Sequence, residues 1–240
     1  MVTTGWNRNG YQTDSDMLDL SVRGNSKCYN WADFPKNVEA AVGGLIGDTI
    51  LICGGGTLDD SYDECYNLNQ QTATFVTNMT AKRKCAASIV VNQKTLWVTG
   101  GWSSDLDVPL ASTEYITIKG STPGPELPVA ISAHALVAIS NDLSMLIGGE
   151  IHEETIASTY YYDHKEHIWI SGPNMKSARR WHTAGIVTDE GTKEKLIVAS
   201  GGDIYGIKLD TTEIFYDNKW NLGNVLSHLN KTQNIKALIH

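Results

Sequence analysis

The chain has 240 residues, enough to bury a sizeable core, and carries a formal charge of −8 from 19 basic and 27 acidic side chains. No basic cluster reaches five residues, which argues against nucleic acid or an anionic membrane as a main partner. No apolar run approaches the roughly 18 residues of a bilayer span, and no signal peptide is visible at the N-terminus.

Taken in order, the chain reads as a succession of short strands with no helical periodicity of useful length. Residues 1–6 (M-V-T-T-G-W) look like the second strand of a unit whose third and outer strands are 16–22 and 28–34, the outer one carrying Trp31 and closed by Pro35. In the second unit, 38–46 and 49–55 predict a hairpin about the turn dipeptide Gly47-Asp48, followed by strands over Glu64–Leu68 and 73–79. The third unit repeats this with 85–91, a turn at Asn92-Gln93, 95–101 and 113–118. Its outer strand is expected to be poor, because 121–128 contains three prolines that cannot donate to a ladder. The fourth unit runs through 133–139, 143–149, 158–163 and 167–171, and the fifth through 182–188, 196–202, 211–217 and Lys219–Leu222. In the tail that follows, 233–239 resembles one more first strand.

One stretch orders all the rest. Residues 94–102 read K-T-L-W-V-T-G-G-W, and the same apolar run ending in two glycines recurs at 49–55, 143–149 and 195–202. The second glycines, Gly55, Gly101, Gly149 and Gly202, lie 46, 48 and 53 residues apart, and Gly5 lies 50 before Gly55. A strand and a turn signal at one period near fifty indicate a repeat architecture. Four short strands cannot bury both faces of one small sheet alone, so the sheets must stack, and radial stacking is the β-propeller solution.

Cys28, Cys53, Cys65 and Cys85 contain no C-x-x-C pair and no histidine at ligand spacing, so no metal site is expected. A hairpin centred near Asp59 would set Cys53 opposite Cys65 at disulfide range. Sequons at Asn78 and Asn230 lean the same way, toward an oxidising compartment and glycosylation. An extracellular setting is therefore preferred to a cytoplasmic one.

At this point the chain resembles the kelch repeat family, whose pattern is Gly-Gly, an aromatic about a dozen residues on, a Trp further along, then Met and Arg. The fourth unit shows it best, with Gly148, Gly149, Tyr161, Trp169, Met175 and Arg179. The second has Gly54, Gly55, Tyr66, Phe75 in the Trp place, Met79 and Arg83; the third has Gly100, Gly101 and Tyr115; the fifth has Gly201, Gly202, Phe215 and Trp220; the first is degenerate. The resemblance implies an all-β propeller of four-stranded antiparallel blades over residues 1–240, with units 1–35, 36–81, 82–129, 130–177 and 178–226. The 227–240 tail would supply a first strand to a composite fifth blade; the alternative is a fragment of a six-bladed ring. It also implies that Tyr66, Tyr115, Tyr161, Trp169 and Trp220 pack between blades, that Arg83 and Arg179 bond carbonyls or carboxylates near the axis, and that His134 and His182 are packing residues.

The same resemblance is specific for fold and nearly silent on activity. Cys65 and Tyr66 are neighbours on a strand and face opposite ways, which is wrong for an oxidase-type copper centre. No Asp-box turns are present. An epimerase or mutarotase site needs only scattered polar residues, and that reading stays open, as does a role as the recognition propeller of a ubiquitin ligase adaptor. The leading expectation is a non-enzymatic scaffold, without cofactor, that binds a protein through the loops of one face. The candidate contacts are Asp59, Asp60, Tyr62, Trp102, Asp105, Asp107, His152, Glu153, Glu154, Tyr205 and Lys208 on the acidic second-to-third loops. Arg83, Arg180 and Trp181 join them from the basic fourth-to-first loops.

Overall fold

The structure is a computed structural model that describes residues 2–7, 10–19, 27–188 and 194–223. The expected strand at 233–239, the sequon at Asn230 and the ring closure they bear on lie outside these residues. The chain divides into two compact units, Met1–Glu126 and Leu127–His240.

The first unit opens with a three-stranded sheet, β1 (Val2–Asn7), β2 (Gly10–Asp19) and β3 (Lys27–Trp31), paired in that order. A four-stranded sheet follows: β4 (Val42–Ile46), β5 (Thr49–Cys53), β6 (Glu64–Leu68) and β7 (Ala73–Asn78). The next contains β8 (Ala87–Val91) and β9 (Thr95–Thr99), a small hairpin β10 (Trp102–Ser103) and β11 (Val108–Pro109), then β12 (Thr113–Thr117) and β13 (Gly120–Pro123), in the order β8-β9-β12-β13. The second unit has one sheet of β14 (Ala135–Ala138), β15 (Leu143–Ile151), β16 (Glu154–Asp163) and β17 (Ile168–Ser171). Its other sheet contains β18 (Thr183–Thr188) and β19 (Lys195–Ser200), a small hairpin β20 (Asp203–Ile204) and β21 (Ile207–Lys208), then β22 (Thr212–Tyr216) and β23 (Lys219–Leu222). Every pairing is antiparallel and up-and-down, as the repeat predicts.

The second strand of each four-stranded sheet is apolar in consecutive positions because both of its faces are covered. Leu51, Ile52 and Cys53 are buried, as are Leu96, Trp97 and Val98, and Met145, Leu146 and Ile147. Within the first unit, Leu51, Cys53 and Cys65 pack on Leu96, Val98 and Ile116 of the next sheet, while Ile52 packs on Phe34 and Val38. Within the second unit, Met145 and Ile147 pack on Ile197, Ala199 and Trp220.

The glycine doublets are explained by what presses on them. A Cβ on Gly54 would lie 2.6 Å from the Arg83 carbonyl and 2.8 Å from Met79 Cε; on Gly148 the same distances run to Arg179 and Met175. The Met-Arg segment of the repeat is therefore the piece of chain that fills the space above the first glycine. The second glycine meets the other neighbour: a Cβ on Gly55 would sit 2.7 Å from the Glu39 carbonyl, and one on Gly149 2.7 Å from that of Ser132. These four glycines also have positive φ, so a side chain there would clash and strain the backbone together.

Cys53 and Cys65 lie opposite each other on β5 and β6 and form a disulfide, as the hairpin reading expects. The bond closes a sequence separation of 12 residues, for which chain entropy gives about 3 kcal/mol. The double variant Cys53→Ala/Cys65→Ala is expected to lose about that much stability in urea unfolding. An unchanged denaturation midpoint would show that the bond does not constrain the unfolded chain.

Three local expectations are corrected. The outer strand of the third sheet does form, as β13, because it is an edge strand, Pro123 is its last residue, and the other prolines fall beyond it. The aromatics assigned to one repeat position, Tyr66, Tyr115, Tyr161 and Phe215, do not share a face. The residues preceding the doublets are paired with Cys65, Thr113, Thr159 and Thr212; Tyr66 comes one position later, Tyr115 and Tyr161 two, and Phe215 three. A shift of one residue changes the face, so Tyr161 meets Phe215 of the next sheet from the opposite side, at 6.5 Å. Burial of the Trp position is also uneven. Trp220 is buried, Trp169 is half-buried beside Tyr162, and Phe75 is 53% exposed.

Candidate functional site

The loops at the glycine ends of the sheets are anchored by two buried ion pairs. In the first unit Arg83 donates to the carbonyls of Gly100 (2.7 Å) and Ser112 (2.9 Å) and to Glu114 (2.7 Å). Glu114 also accepts from the backbone N–H of Thr80 and Ala81 and from the Ser121 hydroxyl. Burial pushes the Glu114 carboxyl up, but these donors and the Arg83 charge together hold it below the usual range. The second unit repeats the device: Arg179 donates to the Gly201 and Thr211 carbonyls and to Glu213, which accepts from the N–H of Lys176 and Ser177. Arg83 is fully buried, so its expected role in contacting a partner is withdrawn: it holds the loop rather than meeting a ligand.

Between anchor and strand, one residue in each repeat takes a left-handed conformation: Ala40 (φ 54°), Cys85 (54°), Ala133 (53°) and Trp181 (51°). The Cys85 N–H donates to the Ala40 carbonyl and the Trp181 N–H to that of Ala133. The next residue packs on the second glycine of its doublet. It is Ala41, Ala86, His134 or His182, and both histidines are buried. Burial pushes His134 down to about 3, with His182 adding to the shift, and burial beside the Arg179 charge pushes His182 down to about 4.

The basic loop residues are largely engaged within the protein. In the first unit Lys82 pairs with Asp105 at 2.9 Å, Lys84 Nζ donates to the Thr57 and Leu58 carbonyls, and Lys36 lies 4.6 Å from the Tyr62 ring centroid. In the second, Arg180 pairs with Glu150 and with Asp203 at 2.8 Å, and Lys208 reaches Asp203 at 3.1 Å. Burial raises the Asp203 carboxyl, but the bonds from Arg180 and Lys208 hold it below its ordinary range. In each unit a basic fourth-to-first loop is thus tied to an acidic second-to-third loop by at least one ion pair.

The apolar side chains differ. The four most exposed large hydrophobics among the described residues are Leu58 (78%), Ile207 (69%), Leu106 (67%) and Tyr205 (65%), and all four lie on second-to-third loops. No family model and no curated protein matches the sequence. Among solved structures, that of YjhT, a kelch-type β-propeller fold, matches with a TM-score of 0.76 over 90% of this chain and 78% of that one, at 14% identity.

This chain's fold is similar to that of YjhT. The likeness to YjhT is of fold alone, so the site rests on the side chains themselves. Asp59, Asp60, Asp105, Asp107, His152, Glu153 and Glu154 stand exposed at loop tips, whereas Tyr62, Trp102 and Arg180 are half-buried. Asn78 is exposed at the end of the edge strand β7. Leu58, Leu106 and Ile207 were missed by a reading that followed charge. Their signal was present, since an aliphatic residue inside a polar loop buries nothing within its own hairpin.

Proposed function

We propose that this chain is a kelch-type β-propeller module that binds a protein partner, without catalysis, through the loops at the glycine ends of its sheets. The observation that carries this reading is the placement of its most exposed apolar side chains. Single exposed apolar residues are ordinary on a protein surface. Here the four most exposed recur at one topological place: buried Arg–Glu pairs fix the roots of the Leu106 loop and of the Tyr205 and Ile207 hairpin, and Lys84 holds the Thr57 and Leu58 carbonyls. Apolar tips on an anchored base suit burial against another protein surface.

The test is selection of displayed random dodecapeptides on the wild-type protein, followed by affinity measurement on the quadruple variant Leu58→Ser/Leu106→Ser/Tyr205→Ser/Ile207→Ser. Because these side chains are exposed, the variant should unfold within about 0.5 kcal/mol of wild type per site. The selected peptides should lose at least tenfold in affinity. Peptides that bind both proteins equally would overturn the reading.

A further inference from the structure

Trp181 breaks the rule of its own repeat. At the other three equivalent positions the left-handed conformation is occupied by Ala40, Cys85 and Ala133, all small. A bulky residue in that region is an outlier whose strain the surrounding structure must offset. Trp181 recovers little of this by burial, since it is 55% exposed. A large ring held at a costly φ and left facing water is unexplained by folding.

Its surroundings place two cations beside the ring. The Arg180 guanidinium lies 4.4 Å from the Trp181 ring centroid and the Lys208 ammonium 5.9 Å from it. Arg180 is held by Glu150 and Asp203, and its backbone pairs with Asp203 at the root of the β20–β21 hairpin. Of the carboxylates of this network Asp203 is buried (1% exposed) and Glu150 largely covered (14%), while the Lys208 side chain is 80% exposed. What the ring presents to solvent is therefore an aromatic surface beside an accessible cation, with the balancing anions beneath. At the tip of the same hairpin Tyr205, also at positive φ (52°), adds a second exposed aromatic.

From this placement we infer that Trp181, with Lys208, is the anchor of a peptide-binding site, selective for a segment with an apolar side chain close to a carboxylate. The apolar group packs on the Trp181 ring and the carboxylate meets Lys208 Nζ. A rigid, pre-positioned aromatic loses little conformational entropy on binding, which is why such residues dominate interface energetics. The strain at Trp181 is the folding cost of holding the ring in place. The inference rests on the proposed binding function and names its centre in the second unit.

The experiment uses the full chain and two synthetic peptide pools, one with Leu within two or three residues of Asp or Glu on either side, the other with Lys in place of the acid. Wild type should bind the acidic pool at least tenfold more tightly than the basic one. Trp181→Gly should lose that binding while melting at or above the wild-type temperature, because glycine relieves the left-handed strain. Lys208→Glu should reverse the charge preference. Equal binding of both pools, or acidic-pool binding that survives Trp181→Gly, overturns the inference. A glycan array that lights up in a Trp181-dependent way, with neither pool bound, overturns it in favour of a sugar site. If the acidic pool fails while randomly selected peptides still depend on the four loop-tip residues, this inference alone falls; if those peptides do not depend on them either, the proposed function falls with it.

Discussion

Glu213→Ala is expected to destabilise the protein by about 3–5 kcal/mol, because it leaves the guanidinium of Arg179 buried without a counter-charge. Both side chains are fully buried, and the variant also strips the acceptor from the Lys176 and Ser177 N–H groups. The repeats contain their own control. Counting two residues before the left-handed position, Arg83 and Arg179 correspond to Val38 and Ile131. On the facing third strand, Glu114 and Glu213 correspond in register to Tyr66 and Tyr160. Where the arginine is replaced by an aliphatic residue, the glutamate is replaced by tyrosine, and Val38 packs with Tyr66. The ion pair and the apolar pair are thus two solutions to one packing site. Arg179→Val/Glu213→Tyr should accordingly recover at least half of the stability that Glu213→Ala loses. Guanidinium-chloride unfolding of wild type, single and double variants measures this. A double variant no more stable than Glu213→Ala would show that the arginine's bonds to Gly201 and Thr211 cannot be dispensed with.

The sheets were legible because their signals are local. An apolar run stopped by two glycines, a two-residue turn and an outer strand recur at one spacing, and each marks an element without reference to the rest of the chain. The Cys53–Cys65 pairing was legible for the same reason, since a hairpin places its partners by counting. What counting could not provide was facing. Tyr66, Tyr115, Tyr161 and Phe215 look alike when measured from the glycines, but the connecting loops differ in length, and one residue of slip sends a side chain to the other face. Charge misled in a related way. The acidic and basic loops invited a reading as binding surface, yet Arg180, Glu150, Asp203 and Lys208 are drawn together by the pairing of neighbouring elements. Only the structure could bring those sequence-distant charges into one network and leave Trp181 standing beside it.

Acidification from pH 7 to about pH 5 is expected to cost about 4 kcal/mol through His134 and His182 alone. Their native values are pushed down to about 3 and about 4, against an ordinary value near 6.5 in the unfolded chain. Both remain neutral in the folded state at pH 5, while in the unfolded state both bind a proton. The stabilising difference is complete above about pH 6.5, and it is lost as pH falls toward the native values. At pH 5 each histidine accounts for about 2 kcal/mol. His182 faces the Arg179 charge, so a proton on that ring meets another positive group, while at His134 burial is the main obstacle to protonation. The repeat again names the comparison variant, since Ala41 and Ala86 occupy the matching place against Gly55 and Gly101. His134→Ala/His182→Ala should be less stable than wild type at pH 7, where it loses packing, but should show most of this pH dependence removed. Urea unfolding of both proteins across pH 7 to 4.5 measures the slopes. Parallel curves would mean that the histidines carry their protons in the folded state and that other groups govern the acid response.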